Sequence, residues 1–286
     1  MSKPPITTAI IGDNGFTTRR LPISATIPKG FTPIGNRPVV DFIVDELVKV
    51  GVEDIYFVIH PYHQDIYERY FLGNDLLDKH LAATRKDTDL NMLKALRGRA
   101  QFHFVTKTER YGTAIPPLLA FEDMGGFRSC IYMASDDFTY RSDGGSDLVD
   151  LVELYASREA VGGLLGLHLP DEMLSKFGVM QVESREDVCF LKNLIEKPEH
   201  PEKLEGTLLA NIGKHIIGTE MEPYFQNLKA HPVTGEYFIV DVYAAVAREH
   251  EVVVLPVKGD YYDVGNLDNW MNVNKALAKI PIDLKQ

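Results

Sequence analysis

The sequence has little cysteine: only Cys130 and Cys189 occur in 286 residues. A disulfide scaffold or a thiolate zinc cluster needs more cysteines, so both classes are excluded. The sequence also lacks any apolar run near the roughly 20 residues that a membrane-spanning helix requires. Its opening, MSKPPITT, has no apolar core of a signal peptide. We therefore expect a cytoplasmic protein with no membrane partner.

Positive charge is scarce as well, since 30 Lys plus Arg stand against 41 Asp plus Glu, a formal net charge of −11. Nucleic-acid-binding proteins usually present a basic face, so we expect no nucleic-acid partner. A small molecule that carries phosphate needs only a local positive site and is compatible with this balance. The chain has no Gly/Ser linker, low-complexity tract or repeat of fixed period, and we predict a single domain over 1–286.

Strand and helix patterns alternate through the first half of the chain. The β-branched run at 6–12 predicts a strand. Apolar residues recur at helical spacing from Val39 and stop at Gly51, which predicts a helix, and the apolar segment at 54–60 predicts a second strand. This order is the unit of a parallel sheet. Residues 62–100 are polar and predicted helical. Two further strands are predicted at 101–107 and 130–138, separated by an Ala/Leu-rich segment around 114–121.

The second half is richer in strands. A helix is predicted directly after Ser146, followed by predicted strands at 162–169, 179–183, 188–195 and 209–217. Helices are predicted at 219–229 and 237–249. Apolar, strand-like segments also precede Asp136 and Asp263. The pattern predicts an α/β fold, a Rossmann-like mixed, mostly parallel sheet sandwiched by helices, with a strand-rich second half.

The segment from Gly12 to Pro38 is polar and punctuated by Gly and Pro, which predicts a long functional loop after the first strand. Backbone amides in such a turn can form an anion-binding concavity, and Arg19 and Lys29 supply positive charge beside it. The dinucleotide fingerprint GxGxxG and the Walker pattern are both absent. The loop is compatible with a polyphosphate ligand and also with a plain surface loop that carries two solvated cations, and spacing alone leaves both open.

The segment Thr18-Arg-Arg-Leu-Pro22, followed by Ile27-Pro-Lys29 and by Pro33, resembles the signature GxGTRxLPxTKxxPKxxLP of sugar-1-phosphate nucleotidyltransferases. Further matches to this family occur in order along nearly the whole chain: GTA at 112–114, MASDD at 133–137, FGV at 177–179, EKP at 196–198, NIG at 211–213, GEY at 235–237 and DVG at 263–265. No single short match is specific, but an ordered set with family-like spacing is.

The resemblance implies attack by a sugar-1-phosphate oxygen on the α-phosphorus of a nucleoside triphosphate, with release of pyrophosphate. UTP and glucose-1-phosphate are the first expectation. This chemistry depends on positioning and charge neutralisation. By position in the motifs, the resemblance implies catalytic roles for Arg19, Lys29 and Asp136. It implies nucleotide binding by a further set: Asn14, Gly15, Thr18 and Gly112.

The resemblance further implies that Asp136 and Asp263 hold Mg²⁺, a hard cation that prefers carboxylate oxygens. It implies that Gly178, Glu196 and Lys197 bind the sugar phosphate, which places sugar binding in the strand-rich half. It also implies a homo-oligomer, a dimer or a tetramer.

Each of these residues has a structural alternative. Asp136 and Asp137 fit solvated turn carboxylates or helix caps, and Asp263 fits an Asp-x-Gly turn. Glu196 and Lys197 fit a surface ion pair, and Gly178 fits a turn or bulge. The three histidines His60, His63 and His103 lack metal-site spacing and are interpreted as structural or exposed.

The family pattern is broken at two positions, where Thr17 replaces a glycine and Ala25 replaces a lysine. The family's glutamine near the base pocket has no clear counterpart, and Asn14 or backbone groups around Gly112 could substitute for it. A C-terminal hexapeptide repeat is absent, and with it a fused acyltransferase. Competing hypotheses are a nucleotide-sugar-binding or regulatory protein with lost catalysis, and a related enzyme that uses dTTP or another triphosphate. The missing glycine fingerprint disfavours a dinucleotide oxidoreductase.

Overall fold

The structure is a computed structural model that describes residues 3–15, 18–106 and 110–280. Its strands are β1 (Thr8–Asp13), β2 (Pro33–Ile34), β3 (Arg37–Pro38), β4 (Asp54–Ile59), β5 (Gln101–Val105), β6 (Cys130–Ala134), β7 (Asp137–Tyr140), β8 (Gly162–Leu167), β9 (Gly178–Arg185), β10 (Val188–Glu196), β11 (Thr207–Ile217), β12 (Val252–Pro256) and β13 (Asp260–Asp263). Its α-helices are α1 (Val39–Val50), α2 (Gln64–Phe71), α3 (Asp75–Ala83), α4 (Asp87–Arg97), α5 (Ile115–Asp123), α6 (Asp147–Ser157), α7 (Asp171–Leu174), α8 (Glu222–Gln226), α9 (Ile239–Val246) and α10 (Leu267–Leu277).

In the described part of the chain, nine strands form one sheet in the order β5-β4-β1-β6-β11-β8-β12-β10-β9. Strands β5, β4, β1 and β6 pair in parallel, as do β8 and β12. Strands β11 and β10 run antiparallel to their neighbours. The predicted mixed, mostly parallel sheet is therefore confirmed, and each of its antiparallel pairs includes β10 or β11 of the strand-rich half.

The helices cover both faces of this sheet because alternate residues of each strand point to opposite faces. In β1, Ile11 belongs to the apolar cluster that includes α1 and α6, whereas Ile10 belongs to the cluster with α5 and α9. All six residues of β1 are buried, as expected for a central parallel strand. Helix α1 ends at Gly51, whose φ of 92° places it in the left-handed C-cap conformation.

A short antiparallel ribbon of β7 and β13 stands beside the main sheet and pairs Asp137 with Asp263. Strand β11, which borders β6, has an irregular register between Asn211 and His215, where Gly213 has a φ of +69°. Such bulges redirect side chains. The ribbon and the bulge together set the positions of the acidic and basic groups discussed below.

Several element boundaries differ from the sequence prediction. The strand predicted at 130–138 is two strands, β6 and β7, with Ser135 and Asp136 in the turn between them. The polar stretch 62–100 forms three short helices, and the strand predicted at 101–107 ends at Val105, with Lys107 outside the described residues. Helix α10 has no counterpart in the prediction because only two of its side chains, Val273 and Leu277, are buried. None of the helices within the described ranges is long and apolar enough to cross a membrane.

Candidate active site

Two adjoining cavities open where the loops after β1 and β6 meet. The first, of about 330 Å³, is lined by the predicted nucleotide-binding residues Asn14, Gly15, Thr18 and Gly112. The second, of about 470 Å³, is lined by the predicted sugar-phosphate residues Gly178, Glu196 and Lys197, and also by Asp263.

Three predicted catalytic residues lie where the two cavities meet. Arg19 and Asp136 line both cavities, and Lys29 lines the first. The neighbouring arginines of the loop differ in exposure: Arg19 is exposed, whereas Arg20 is buried. The guanidinium of Arg20 bonds Thr32 and lies 5.6 Å from the centre of the Trp270 ring. The structure therefore brings every sequence-predicted site residue to one connected region.

Lys29 is placed by a tight turn that begins after Pro28. The amide of Gly30 donates to Oδ2 of Asp13 at 3.0 Å, and a β-carbon at Gly30 would lie 2.5 Å from the Tyr67 hydroxyl oxygen. The turn is thus held against the end of β1 and accepts only glycine at this position. It directs Nζ of Lys29 to Oδ1 of Asp136, at 3.0 Å.

Asp13 is a buried residue beside Lys29 that the sequence analysis did not single out. Its Oδ2 also accepts a hydrogen bond from the hydroxyl of Tyr67, whereas no described residue bonds Oδ1. Burial raises the pKa of Asp13. Burial also lowers the pKa of Lys29, but Asp136 and Asp13 raise it more, so the net pKa of Lys29 is raised and the ammonium stays charged. An acidic residue at the end of an apolar strand was the available signal.

Asp136 and Asp263 face one small space. The amide of Val264 donates to the carbonyl oxygen of Asp136 at 3.0 Å, which ties the two turns together. A β-carbon at Gly265 would lie 2.8 Å from Oδ1 of Asp263 and 3.6 Å from Oδ2 of Asp136. Gly265 also donates to Oδ1 of Asp263 at 2.6 Å, so the predicted Asp-x-Gly turn is present and presents this carboxylate to the site.

The two carboxylates differ electrostatically. Burial raises the pKa of Asp136, but Lys29 lowers it more, so the net pKa is lowered and the group stays ionised. Burial raises the pKa of Asp263, and Asp136 and Asp137 raise it further against an amide hydrogen bond from Gly265. A cation between Asp136 and Asp263 would relieve this repulsion.

Asp137 also lines the second cavity, but it differs from its neighbour because protein groups bond both oxygens of its carboxylate. The buried ammonium of Lys214 bonds this carboxylate and, at 2.8 Å, the backbone carbonyl of Asp137. The Tyr261 hydroxyl donates to Oδ2 of Asp137 at 3.1 Å. The side chains of Asp136 and Asp137 are 18% and 13% exposed, so neither is a solvated turn carboxylate.

In the second cavity, Nζ of Lys197 lies 2.7 Å from Oε1 of Glu196, and the lysine side chain is 61% exposed. The ion pair of Glu196 and Lys197, which the sequence analysis gave as a structural alternative, is therefore present. The amide of Lys197 donates to the carbonyl of Phe177 at 3.1 Å, which joins the EKP and FGV segments. Gly178 is the first residue of β9 rather than part of a turn, and a β-carbon there would lie 3.5 Å from Oε2 of Glu196.

Gly112 needs to be glycine for a conformational reason. Its φ is +131°, and a β-carbon would lie 2.2 Å from the carbonyl oxygen of Tyr237. The amide of Tyr237 donates to the carbonyl of Tyr111 at 2.9 Å, so the GTA and GEY segments are paired by their backbones. Glu236, within the GEY segment, also lines the first cavity, as Asn14 does.

The histidines singled out in the sequence are structural or exposed, as predicted. His103 pairs with Asp54 at 2.7 Å, His60 accepts from the amide of Tyr62, and His63 is buried. His215, which the sequence analysis did not single out, lines the second cavity and stacks on Tyr132. Burial lowers the pKa of His215 to about 3, so this ring is neutral at physiological pH.

Of the two departures from the family signature, Thr17 lies outside the described residues. Ala25 is exposed at the end of the short turn Ile23–Ala25, and it is absent from the described residues that line either cavity. Ala25 therefore supplies no cavity-lining group in place of the family's lysine.

Comparison with known proteins identifies the family. The sequence model described as nucleotidyl transferase matches residues 8–280. The chain belongs to the nucleotidyl transferase family. The fold and the family predicted from the sequence are thereby confirmed.

Individual relatives of this nucleotidyl transferase align along most of their length. A putative UTP–glucose-1-phosphate uridylyltransferase of Methanocaldococcus jannaschii is 28% identical over 274 residues, which cover 94% of this chain and 92% of the relative. A UTP–glucose-1-phosphate uridylyltransferase of Bacillus subtilis is 25% identical, with 90% and 86% covered. The crystal structure of an apo UDP-glucose pyrophosphorylase superposes with a TM-score of 0.84 at 25% identity, covering 95% of this chain and 97% of that one.

Nucleotidyl transferases generally use a divalent metal ion, and the residues present fit one. Asp136 and Asp263 offer two hard carboxylate oxygens that repel each other without a cation. Across the described residues, no group of three or more His, Cys, Asp or Glu side chains could hold a metal ion. The protein thus supplies two carboxylates, and substrate phosphates and water would complete the coordination.

Proposed function

We propose that this nucleotidyl transferase transfers a uridylyl group from UTP to glucose-1-phosphate, giving UDP-glucose and pyrophosphate. The observation that carries the proposal is the contact of Lys29 with Asp136 at the junction of the two cavities. One cavity offers glycine-rich backbone and cations for a triphosphate, and the other offers the Glu196–Lys197 pair for a sugar phosphate. The names of the relatives support the choice of uracil and glucose.

In the proposed reaction, a phosphate oxygen of glucose-1-phosphate attacks the α-phosphorus of UTP. The bond from that oxygen to phosphorus forms while the bond from phosphorus to the bridging oxygen breaks, and pyrophosphate leaves with the electron pair. Lys29 and Arg19 bind the triphosphate and stabilise the charge that develops on the leaving group. Lys29 pairs with Asp136 at 3.0 Å, so it would exchange this carboxylate for phosphate oxygens when UTP binds.

Asp136 and Asp263 would hold the metal, which we propose is Mg²⁺. When bound, Mg²⁺ supplies neutralisation of phosphate charge and helps to orient the triphosphate. The depressed pKa of Asp136 keeps that ligand ionised and ready to bind without loss of a proton.

On the sugar side, the carboxylate of Glu196 accepts hydrogen bonds from sugar hydroxyls, and Lys197 binds the attacking phosphate. The lysine can leave its ion pair at little cost, because exposed pairs contribute only about 0 to 1 kcal/mol. Gly178 keeps the wall beside Glu196 open to the sugar. A binding protein without catalysis is disfavoured, because it would have no need for Lys29, Asp136 and Asp263 together.

The test is a panel assay of pyrophosphate release that pairs UTP, dTTP, CTP, ATP and GTP with several sugar-1-phosphates. We expect the highest kcat/KM for UTP with glucose-1-phosphate, and loss of release in Asp136→Asn. A different pair with the highest kcat/KM would reassign the substrates, and absence of release with every pair would refute the enzymatic function. The single domain over 1–286, the homo-oligomeric state and the cytoplasmic location stay predictions.

A further inference from the structure

A fully buried lysine lies directly behind the turn that carries Asp136. The side chain of Lys214 has no exposed surface, and Lys214 is not among the described residues that line either cavity. Its ammonium bonds both the carboxylate and the carbonyl oxygen of Asp137, and Tyr261 binds the other carboxylate oxygen. Asp137 is therefore held by two residues from two different strands.

The bulge in β11 explains how a lysine reaches this place. After the irregular register at Gly213, Lys214 pairs with Met133 and His215 with Tyr132 of β6. Consecutive strand residues point to opposite faces. His215 therefore lies in the sugar cavity, whereas Lys214 points to the opposite side, beneath the turn between β6 and β7.

A second buried carboxylate, Glu46 of α1, lies near the same ammonium. Its Oε1 accepts from the Thr139 hydroxyl at 2.7 Å, and the charge of Lys214 acts on it. The ammonium of Lys214 thus lies near two largely buried acidic side chains. Lys29 differs because it lines the substrate cavity and must move from Asp136 to the phosphates.

We propose that Lys214 is a positioning residue that makes the neighbouring aspartates unequal: it binds the carboxylate of Asp137, which lines the second cavity, so that Asp136 alone joins Asp263 as a metal ligand. The proposal rests on the metal-dependent function proposed above. Without this ion pair, the Asp137 carboxylate would be free to act as a third acidic ligand for the cation. The affinity of a site for a divalent cation depends on the number of its charged oxygen ligands.

The experiment measures Mn²⁺ binding to the nucleotide-free protein by electron paramagnetic resonance. Lys214→Met should strengthen Mn²⁺ binding by about tenfold or more, because it removes a buried positive charge beside the site and frees a third carboxylate. The matched control is Lys258→Met, which removes a 59% exposed lysine that pairs with Asp150 at the surface. The control should bind Mn²⁺ like the wild type. Unchanged or weakened Mn²⁺ binding in a folded Lys214→Met would overturn the proposal.

Lys214→Met leaves Asp137 buried without its counter-charge, so this variant can fail to fold. The double variant Asp137→Asn with Lys214→Met removes both charges and keeps a group that Tyr261 can bond. It should fold and bind Mn²⁺ with an affinity close to that of the wild type, because the neutral amide that replaces the Asp137 carboxylate adds no charged ligand. A folded double variant that binds Mn²⁺ about tenfold or more tightly than the wild type would contradict the proposal, because no freed carboxylate would explain the gain.

The readout also separates this proposal from the proposed function. Mn²⁺ binding is measured without nucleotide or sugar, so absence of pyrophosphate release by the wild type would refute the uridylyl transfer and not the role of Lys214. A wild-type protein that binds no Mn²⁺ would refute the role of Lys214.

Discussion

Replacing Lys29 by methionine removes one positive charge at the junction of the cavities with little change in side-chain length. The ammonium lies 3.0 Å from Oδ1 of Asp136, and its side chain is 21% exposed. It is therefore preorganised and partly shielded from water. In the proposed reaction the same charge faces the phosphates of UTP and the leaving pyrophosphate.

The size of the effect follows from this geometry. Two unit charges about 3 Å apart attract by about 5 kcal/mol at an effective dielectric constant near 20, which is an upper bound for the loss. Loss of one preorganised charge stabiliser typically lowers kcat about 100- to 1000-fold, or about 3 to 4 kcal/mol. We expect Lys29→Met to lower kcat/KM for UTP by this factor.

The assay is steady-state pyrophosphate release with each substrate varied in turn, alongside thermal unfolding followed by circular dichroism. Lys79→Met serves as the matched control, because Lys79 is 77% exposed and pairs with the exposed Asp75 at 3.7 Å. The control should keep wild-type kinetics. A folded Lys29→Met that retains kcat/KM within about tenfold of the wild type would refute the charge-stabilising role of Lys29.

Three further outcomes are expected. Asp263→Asn should raise the Mg²⁺ concentration for half-maximal activity, because an amide coordinates without neutralising charge; an unchanged Mg²⁺ titration would contradict the metal site. Lys197→Ala should raise KM for glucose-1-phosphate in steady-state kinetics and leave KM for UTP unchanged; equal changes in both would contradict its assignment to the sugar phosphate. Burial raises the pKa of Glu46 from 4.5 to about 7, so the folded protein keeps a proton that the unfolded chain has lost. The free energy of unfolding of the wild type therefore falls as pH rises from 4.5 to 7. Over this range, the free energy of unfolding of Glu46→Gln, measured with urea, should rise relative to that of the wild type by up to about 3 kcal/mol. A difference between the two proteins that does not depend on pH would contradict the shifted pKa.

Elements with strong local signals were predictable from the sequence. Strand β1 and helix α1 follow directly from a β-branched run and from helical spacing that stops at Gly51. The break between β6 and β7 was not predictable, because no glycine or proline separates Cys130 from Phe138. That break is fixed by long-range contacts of the turn with Val264, Lys214 and Tyr261.

The residues of the candidate site also fall into those that could be predicted from the sequence and those that could not. Residues in ordered motifs, such as Lys29, Asp136 and Glu196, could be singled out from one sequence. Asp13 and Lys214 could not, because their importance depends on partners far away in the chain: Asp13 bonds Gly30 and Tyr67, and Lys214 bonds Asp137. The sequence shows neither that Lys214 is buried nor that Asp136 and Asp137 face different surroundings.

The most direct test of the central claim follows the phosphate oxygens of the sugar substrate. The protein is incubated with UTP, Mg²⁺ and glucose-1-phosphate whose phosphate carries ¹⁸O, and the products are analysed by mass spectrometry. Direct attack on the α-phosphorus predicts equal amounts of UDP-glucose and pyrophosphate, with all of the ¹⁸O in UDP-glucose. Label in pyrophosphate, or UTP cleavage without UDP-glucose, would contradict the proposed uridylyl transfer.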